Sequence, residues 1–440
     1  MSDGNPLRAA RAPVLGLAVA AVSAANAAAA RLAGRPASDV DPDRVAVAYS
    51  SERWFRLDAR QPRAFAPESA FFPTRDGWVR THATYPHHAR ALLAALRLPS
   101  SSTATEVASA LAAGTTQTAV ASVAASGGLC VAVLPVSETE DARLRKEPLV
   151  HLDRIGRSPR RAALVGDASA PLRGIRVLDL TRVLAGPVAT RTLALLGADV
   201  LRIDSPRLPE IAWQHLDTGH GKRSTLLDLA TAPDRSVFDS LLETADVIVL
   251  GYRPGTLERF GLSPSALAER RPGIVIARVS AWGETGGRGF DSLVQAASGI
   301  ALHESANGHT PTALPAQALD HSAGYHLAAA ILTAIDRQTE EGGSWLATTS
   351  LRRMAAQLLD GHRGERGGEH RGEHRDEPDL PVAEHRPFDA ASHLQHFTVG
   401  EHALTTTAPA ISYLDGPAAF APPRPWADDS PAWKDTRDAP

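Results

Sequence analysis

The pattern of hydrophobic and polar residues is most regular over residues 171–204, where it predicts a strand, a turn, a helix and a second strand. The first apolar run is typical of a strand buried in a parallel sheet and contains Ile175, Val177, Leu178 and Leu180. Gly186 and Pro187 then open a helix, since proline at a helix start loses no hydrogen bond that the helix needs. Gly197 ends this helix, and the apolar run of residues 200–203 starts the next strand.

The same alternation continues to residue 350. Short apolar strands are predicted within TLLDL, DVIVLGY and IVIARVS, and helices within RSVFDSLLETA and PSALAERR. Strands that alternate with helices in this way form a parallel sheet with helices on both faces. We therefore predict an α/β fold in which residues 172–350 form a Rossmann-like, doubly wound domain.

Residues 1–45 are expected to form an N-terminal helical segment. The alanine-rich stretch of residues 13–33 follows Arg8 and Arg11 and has the general form of a signal peptide. Alanine is the best helix former, however, and an apolar stripe of Leu15, Val19, Val22 and Ala29 favours a packed helix. A membrane span is disfavoured because alanine contributes little transfer energy.

Residues 46–150 are predicted to form a smaller α+β domain. Val45, Val47 and Tyr49 alternate as they would in a strand. Asp76 and Gly77 lie between two apolar runs, which predicts a hairpin, and a helical pattern follows it. Residues 151–171 form a connection with one short strand, in EPLVHLDRIG.

The chain changes character after residue 350. We predict a disordered linker over residues 351–387, because its stretch rich in glycine, arginine, glutamate and histidine has almost no apolar content. A metal site is the alternative, but the spacing is irregular between His362, His370, His374 and His385. We therefore predict no metal. Residues 388–440 form a C-terminal tail to which the pattern assigns no role.

The composition narrows the class of protein. The 440 residues carry a net charge of −3, which leaves no basic footprint for nucleic acid and no polybasic patch for a membrane. Cys130 is the one cysteine of the sequence, so an internal disulfide is excluded and a reducing cytoplasm fits. Because it lies in the apolar run LCVAVLPV, it is expected to be a buried small hydrophobe.

Candidate binding residues follow the predicted strands. A parallel sheet binds ligands at the carboxyl ends of its strands, and three of the loops there carry Arg182, Arg253 and Arg288. Lys222 and Arg223 add two more cations. Cations and open backbone N–H groups suit a ligand with several phosphates, although each charge alone is compatible with an ordinary surface position. No GxGxxG follows the first strand, which disfavours a nicotinamide or flavin dinucleotide.

The candidate catalytic acid is Asp320. It precedes a helix whose buried stripe is predicted to contain Leu327, Ile331, Leu332 and Ile335. The helix dipole and the free N–H groups at this end favour the ionised carboxylate, which is then available as a nucleophile. Spacing alone favours a simple N-cap. His321 and His326 are expected to be packing or surface residues.

Eight ordered motifs between Leu172 and Leu351 resemble the family III CoA-transferases, a group with formyl-CoA transferase as a member and α-methylacyl-CoA racemase as a relative. They are LDLTRVLAGP, LLGADVLRID, GKRSTLLDL, ADVIVLGYRPG, RFGLS, SAWGETG, GFDSLVQAASG and ALDHSAGYHLAAAILTAI. The resemblance implies that Asp320 attacks an acyl-CoA thioester and carries CoA to a second carboxylic acid through an aspartyl-CoA intermediate. It also implies coenzyme A as co-substrate and a homodimer.

The resemblance further assigns coenzyme A contacts to four loops. They are Val183, Ala185, Leu227, Asp228, Leu229, Ala230, Gly251, Tyr252, Arg253, Arg259, Arg288, Gly289, Phe290 and Asp291.

Three positions depart from the pattern of the family. Leu184 stands where formyl-CoA transferase has an assisting glutamine, which argues against formyl and oxalyl substrates, and Ser205 stands at an adenine-side arginine. Phe290 stands where the racemase branch has a histidine base. A 2-methylacyl-CoA isomerase and a non-catalytic acyl-CoA-binding protein therefore stay as alternatives.

The order of the segments is also unusual. The segment that contains the predicted hairpin resembles the small domain that normally follows the CoA-binding half, yet here it precedes that half. The resemblance therefore implies a circularly permuted chain, as is tolerated when chain termini lie close together.

Overall fold

The computed structural model describes residues 4–366 and 388–434. Its strands, β1 to β13 in chain order, are Arg56–Leu57, Phe71–Thr74, Gly77–Thr81, Cys130–Ala132, His151–Gly156, Arg176–Leu180, Asp199–Asp204, Arg223–Leu226, Val247–Leu250, Val275–Ser280, Ser344–Ser350, Leu394–Val399 and His402–Thr407. Its helices, α1 to α15, are Val14–Leu32, Pro42–Tyr49, Ser51–Trp54, Pro86–Ala95, Ala104–Ala112, Thr116–Ala125, Glu138–Arg145, Ala185–Leu195, Ala212–Thr218, Ala232–Leu242, Pro264–Arg270, Asp291–Ala297, Ile300–His303, Ala318–Glu341 and Leu351–Arg366.

The largest sheet of the described chain has the strand order β8-β7-β6-β9-β10-β11-β5. Strands β6 to β11 pair in parallel, and β5 adds an antiparallel edge. The parallel strands follow the order 3-2-1-4-5-6 of a dinucleotide-binding fold, which confirms the predicted Rossmann-like, doubly wound class. The order reverses between β6 and β9, so the loops after these two strands diverge and leave a crevice for a ligand.

Helices cover both faces of this sheet because successive strand residues point to opposite sides. Val177 of β6 packs in a core with α1, α8, α14 and α15. Its neighbour Leu178 packs in a second core with α10 and α11. Both faces are therefore apolar, as the near-continuous hydrophobic strands predict.

A separate small sheet lies within residues 46–150. Strands β2, β3 and β4 are antiparallel, and the predicted hairpin turn joins Thr74 to Gly77. The helices α4, α5 and α6 cover this sheet around a core that includes Val79, Leu92 and Val107. Cys130 is buried in the same core, as expected, and burial raises the pKa of its thiol to about 12.

The strand expected at Val45, Val47 and Tyr49 is wrong, because residues 42–49 form the helix α2. The side chain of Asp41 accepts a hydrogen bond from the backbone N–H of Asp43, and Pro42 stands at the first helical position. This start signal outweighs the short alternation of apolar residues.

The predicted linker is wrong over its first part, because α15 extends from Leu351 to Arg366. Its first turns bury Leu351, Met354 and Leu358. These apolar contacts stabilise the helix, whereas the polar residues further along the segment offer none. Residues 367–387 lie outside the described residues, as do the side chains of residues 361–366. The metal question at His362, His370, His374 and His385 therefore falls outside the described side chains. In the tail, β12 and β13 form a hairpin that pairs with β1.

The alanine-rich helix α1 packs into the protein, as expected for a packed helix. It is long and apolar enough to cross a membrane by length and composition, and half of that stretch is buried. Ala18, Ala21, Val22 and Ala25 lie in the same core as α14.

Candidate active site

A cleft of about 420 Å³ opens at the carboxyl ends of the parallel strands. It is lined by the loops that follow β6, β9 and β10, and by the start of α4 from the small domain. It therefore lies at the reversal of strand order, where the topology predicts a ligand. Its wall includes these sequence-predicted residues: Val183, Ala185, Gly251, Tyr252, Arg253, Arg288, Gly289, Phe290 and Asp320.

The loop after β6 is tightly constrained. Val183 has a φ of 69°, a left-handed conformation that is an outlier for a β-branched residue. A Cβ at Gly186 would lie 2.3 Å from Cβ of Thr181, so only glycine fits where this loop turns into α8. Strain of this kind persists where the surrounding structure holds it, and it is concentrated at functional sites.

Asp320 lies within the first turn of α14 rather than just before the helix, because α14 already begins at Ala318, and only 7% of its surface is exposed. Its backbone N–H donates a hydrogen bond of 2.9 Å to Oδ2 of Asp291, the first residue of α12. The other oxygen of Asp291 accepts a hydrogen bond from Gln295. Asp320, in the wall of the cleft, therefore has a second acidic residue buried directly behind it.

The ionisation of Asp320 differs from the expectation. Burial, and then the negative charge of Asp291, raise the pKa of Asp320 well above its usual range. Burial also raises the pKa of Asp291 to about 6, against the hydrogen bonds that favour its charged form. The helix N-terminus does not offset these costs, because Asp291 accepts the N–H of Asp320. The carboxylate of Asp320 is therefore poorly solvated when it forms.

The predicted cations separate into two groups. Arg253 and Arg288 line the cleft, and the pKa of Arg288 is lowered by burial and then by the charge of Arg253. Arg182 also lines the cleft, but it contacts Glu210 at 3.5 Å and its guanidinium lies over the ring of Tyr85. The first two cations therefore face the space that a ligand would occupy.

Lys222 and Arg223 do not line the cleft, which corrects their interpretation as ligand-binding charges. The Nζ of Lys222 lies 3.1 Å from Oδ2 of the buried Asp179, beneath the loop after β6. Arg223 pairs with Asp199 at 2.9 Å. Both cations hold strands and helices together, a use of charge that spacing along the sequence does not reveal.

A second cavity of about 280 Å³ continues from the cleft, with which it shares Leu208, Tyr252 and Thr256. It contains the predicted residues Leu227, Asp228, Leu229 and Arg259. Arg207 borders it as well and forms an ion pair with Asp228. The two cavities adjoin and both are bordered by cations, an arrangement that suits a long ligand with phosphates.

Two predicted contacts line neither of these cavities. Ala230 lies beside the second one, where its N–H donates to Asp228 at 3.1 Å. Asp291 is completely buried behind Asp320.

The small domain supplies residues that sequence reasoning missed. Tyr85, His87 and His88, from the start of α4, line the cleft. The ring of His82 stacks on Phe290, with 3.7 Å between centroids. The hydroxyl of Tyr85 donates a 2.6 Å hydrogen bond to Glu210, which fixes the small domain against the loop before α9. The cluster of aromatic and histidine residues in TYPHHAR could have indicated a functional segment. Its place in the cleft depends on how the small domain packs over the sheet, which the sequence does not show.

The chain matches the model of CoA-transferase family III over residues 172–422. It is 34% identical over 205 residues to the probable fatty acyl-CoA transferase Rv3272 of Mycobacterium tuberculosis, covering 43% of this chain and 52% of that protein. It is 31% identical over 216 residues to the succinyl-CoA--L-malate CoA-transferase alpha subunit of Chloroflexus aurantiacus, covering 44% and 50%. The chain thus spans about half the length of these curated relatives.

A crystal structure of Rv3272 aligns with 45% of this chain and 58% of its own, at 32% identity and a TM-score of 0.42. The family match covers more than half of the chain and includes the cleft residues that follow β6, β9 and β10. The chain belongs to CoA-transferase family III.

Proposed function

We propose that this protein transfers CoA from an acyl-CoA to a carboxylic acid, with Asp320 as the nucleophile. The observation that carries the proposal is the position of Asp320, a buried carboxyl group in the wall of a cleft that Arg253 and Arg288 border. Supporting this, relatives named as CoA-transferases share the family.

In the proposed reaction, CoA transfer takes place through two mixed anhydrides and one aspartyl-CoA thioester. A carboxylate oxygen of Asp320 attacks the thioester carbonyl, the C–S bond breaks, and the sulfur leaves as CoA thiolate with its electron pair. The thiolate then attacks the Asp320 carbonyl of the mixed anhydride, and the first acid leaves as its carboxylate. An incoming carboxylate attacks the aspartyl-CoA thioester and expels the thiolate, which finally takes up the new acyl group and frees Asp320.

The residues around Asp320 have separate tasks in this scheme. Arg253 and Arg288 attract the phosphates of CoA, and the second cavity takes the remainder of the nucleotide. Gly287, with a φ of 97°, and Gly289, where an added Cβ would lie 2.4 Å from Cβ of Ala281, allow this loop to fold closely against the end of β10 beside the cleft. The poor solvation of Asp320 strengthens every electrostatic contact in the transition state.

The test is to incubate the full chain with an acyl-CoA and to measure the mass of the peptide that contains Asp320. We expect an adduct that hydroxylamine cleaves, and we expect D320N to lose both the adduct and CoA transfer while it retains CoA binding. The matched control is D336N, the same change on the solvent side of α14, where Asp336 pairs only with Arg31 among the described residues. Transfer by D320N at the wild-type rate would exclude the mechanism.

The isomerase alternative requires a base near Cα of the acyl group. His82 and His88 lie close to Phe290, but burial lowers the pKa of each imidazole to about 3, which makes both poor bases. Exchange of deuterium into the Cα position would favour this alternative, and binding without turnover would favour the non-catalytic one. A cytoplasmic location and a homodimer both stay predictions. The mass of the protein in solution would check the homodimer.

A further inference from the structure

Another, much smaller cavity adjoins the cleft at Asp320. Its volume is about 30 Å³, and its wall is shared between the small domain and the large sheet. Tyr85, Val183, Phe290 and Asp320 border both this cavity and the cleft. Asp320 therefore borders two spaces of very different size.

This arrangement fixes the direction of a thioester, if Asp320 acts as proposed above. The carbonyl carbon must lie against the carboxylate, and the sulfur must point into the cleft because CoA is too large for the small cavity. The acyl substituent then enters the small cavity that adjoins Asp320. We propose that this cavity binds the acyl group of the donor and the carbon chain of the acceptor acid. It selects monocarboxylic acids whose chain is short and carries no second charge, including those with a hydroxyl group.

The size of the cavity sets the length of the acyl chain. A space of roughly 10–15 Å³ holds one water molecule on this measure, so the cavity takes about two or three non-hydrogen atoms beyond the carbonyl. The stacked rings of His82 and Phe290 form a rigid part of the wall, with an interplanar angle of 7°. Chains longer than about four carbons therefore meet packed side chains.

The charge of the wall excludes a second carboxylate. Among the described residues that line the cavity there is no lysine or arginine, and Asp320 itself contributes a carboxyl group. His82 is neutral, since burial lowers its pKa to about 3. Arg80 is not part of the wall: its guanidinium lies over the rings of Phe65 and Phe71, where its Nε is buried without a hydrogen-bond partner in the described structure, and Phe65 separates it from the cavity. A dicarboxylic acid would thus bury an uncompensated charge.

One polar group in the wall accounts for the hydroxyl. Gln214 lines the cavity, is 9% exposed, and its Oε1 has no hydrogen-bond partner within the described structure. A buried acceptor without a partner is costly, and a hydroxyl on the acyl group satisfies it.

The experiment measures single-turnover formation of the Asp320 adduct by the full chain with a panel of donors. The panel contains acetyl-, propionyl-, 3-hydroxypropionyl-, hexanoyl-, palmitoyl- and succinyl-CoA. We expect the three short, uncharged donors to react at least about tenfold faster than the other three, as steric and charge discrimination of this kind allows. Equal or faster reaction of hexanoyl- or succinyl-CoA overturns the subsite alone, whereas no adduct with any donor overturns the proposed function as well.

Two variants locate the selection. F65A enlarges the cavity and should raise the hexanoyl-to-acetyl rate ratio, and Q214L should lower the 3-hydroxypropionyl-to-propionyl ratio. The control is L134A, a truncation of an exposed leucine that lines neither the small cavity, the cleft nor the second cavity, and it should leave both ratios unchanged. Because each readout is a ratio within one variant, a partial loss of folded protein does not change it. Ratios that stay at the wild-type value in F65A and Q214L contradict the assignment.

Discussion

The backbone N–H of Asp320 lies 2.9 Å from Oδ2 of Asp291, so the two buried acidic residues share one hydrogen-bond network. Asp291 holds the first turn of α14 in place and at the same time disfavours a second negative charge beside it. The two effects can be measured separately, because the hydrogen bond fixes the position of Asp320 whereas the negative charge changes the pKa of Asp320.

D291N is expected to shift the pH dependence of catalysis. The amide oxygen introduced by this change still accepts the N–H of Asp320, but the negative charge that raises the pKa of Asp320 is removed. The reactive form of Asp320 is the ionised one, so activity is lost as the pH falls through its pKa. The variant lowers that pKa, and the acid limb of the kcat/KM profile should move to lower pH. An acid limb that stays in place or moves upward contradicts this account.

G324A is expected to destabilise the protein. A Cβ at Gly324 in α14 would lie 2.5 Å from the carbonyl oxygen of Ala185 in α8, where backbone meets backbone. Overpacking of this kind costs roughly 1–3 kcal/mol, which a shift of the urea unfolding midpoint measures. The matched control is G16A, an exposed helical glycine of α1 with nothing within 4 Å of an added Cβ. This control should be neutral or stabilising, since alanine is favoured over glycine in helices.

Replacement of Arg253 and Arg288 is expected to weaken CoA binding. Each guanidinium borders the cleft, and loss of either should raise KM for acyl-CoA by about tenfold or more while kcat changes less. The control is R271A, an arginine just before β10, at the amino ends of the strands. Steady-state kinetics at two salt concentrations check the result, because the effect should shrink at high salt. An unchanged KM in both R253A and R288A would exclude them as phosphate ligands.

K222M is expected to lower stability by roughly 3 kcal/mol, because it leaves the buried carboxylate of Asp179 without its cation. Chemical denaturation measures this loss. The double variant K222M/D179L removes both charges and should recover a large part of it. If the double variant is no more stable than K222M, the ion pair is not the cause.

Much of the fold was predictable because its signals are local. The β6–α8–β7 unit depends on apolar runs and on Gly197, which has a φ of 94° just after the helix. The error at α2 arose because its apolar positions satisfy a period of two as well as a helix, and the cap at Asp41 decided between them. The start of α15 was missed because its few apolar residues lie at one end of a segment that is otherwise polar.

The candidate site was predictable only in part. Asp320 and the loops after the strands follow from topology and from resemblance, and the structure brings most of them into one space. The contribution of Tyr85 and His88 could not be predicted, since it depends on how the small domain packs over the sheet. The structural pairing of Lys222 with Asp179 has the same origin, because those residues are 43 positions apart.

The contact between α1 and α14 has a consequence for how the chain is made. The two helices share one core, yet about 290 residues separate them, so a ribosome working at roughly 5–20 residues per second exposes α1 for tens of seconds before its partner emerges. During that interval an apolar helix with the general form of an export signal is open to chaperones and to the targeting machinery. The core that α1 shares with α14 can therefore close only after most of the chain has been synthesised.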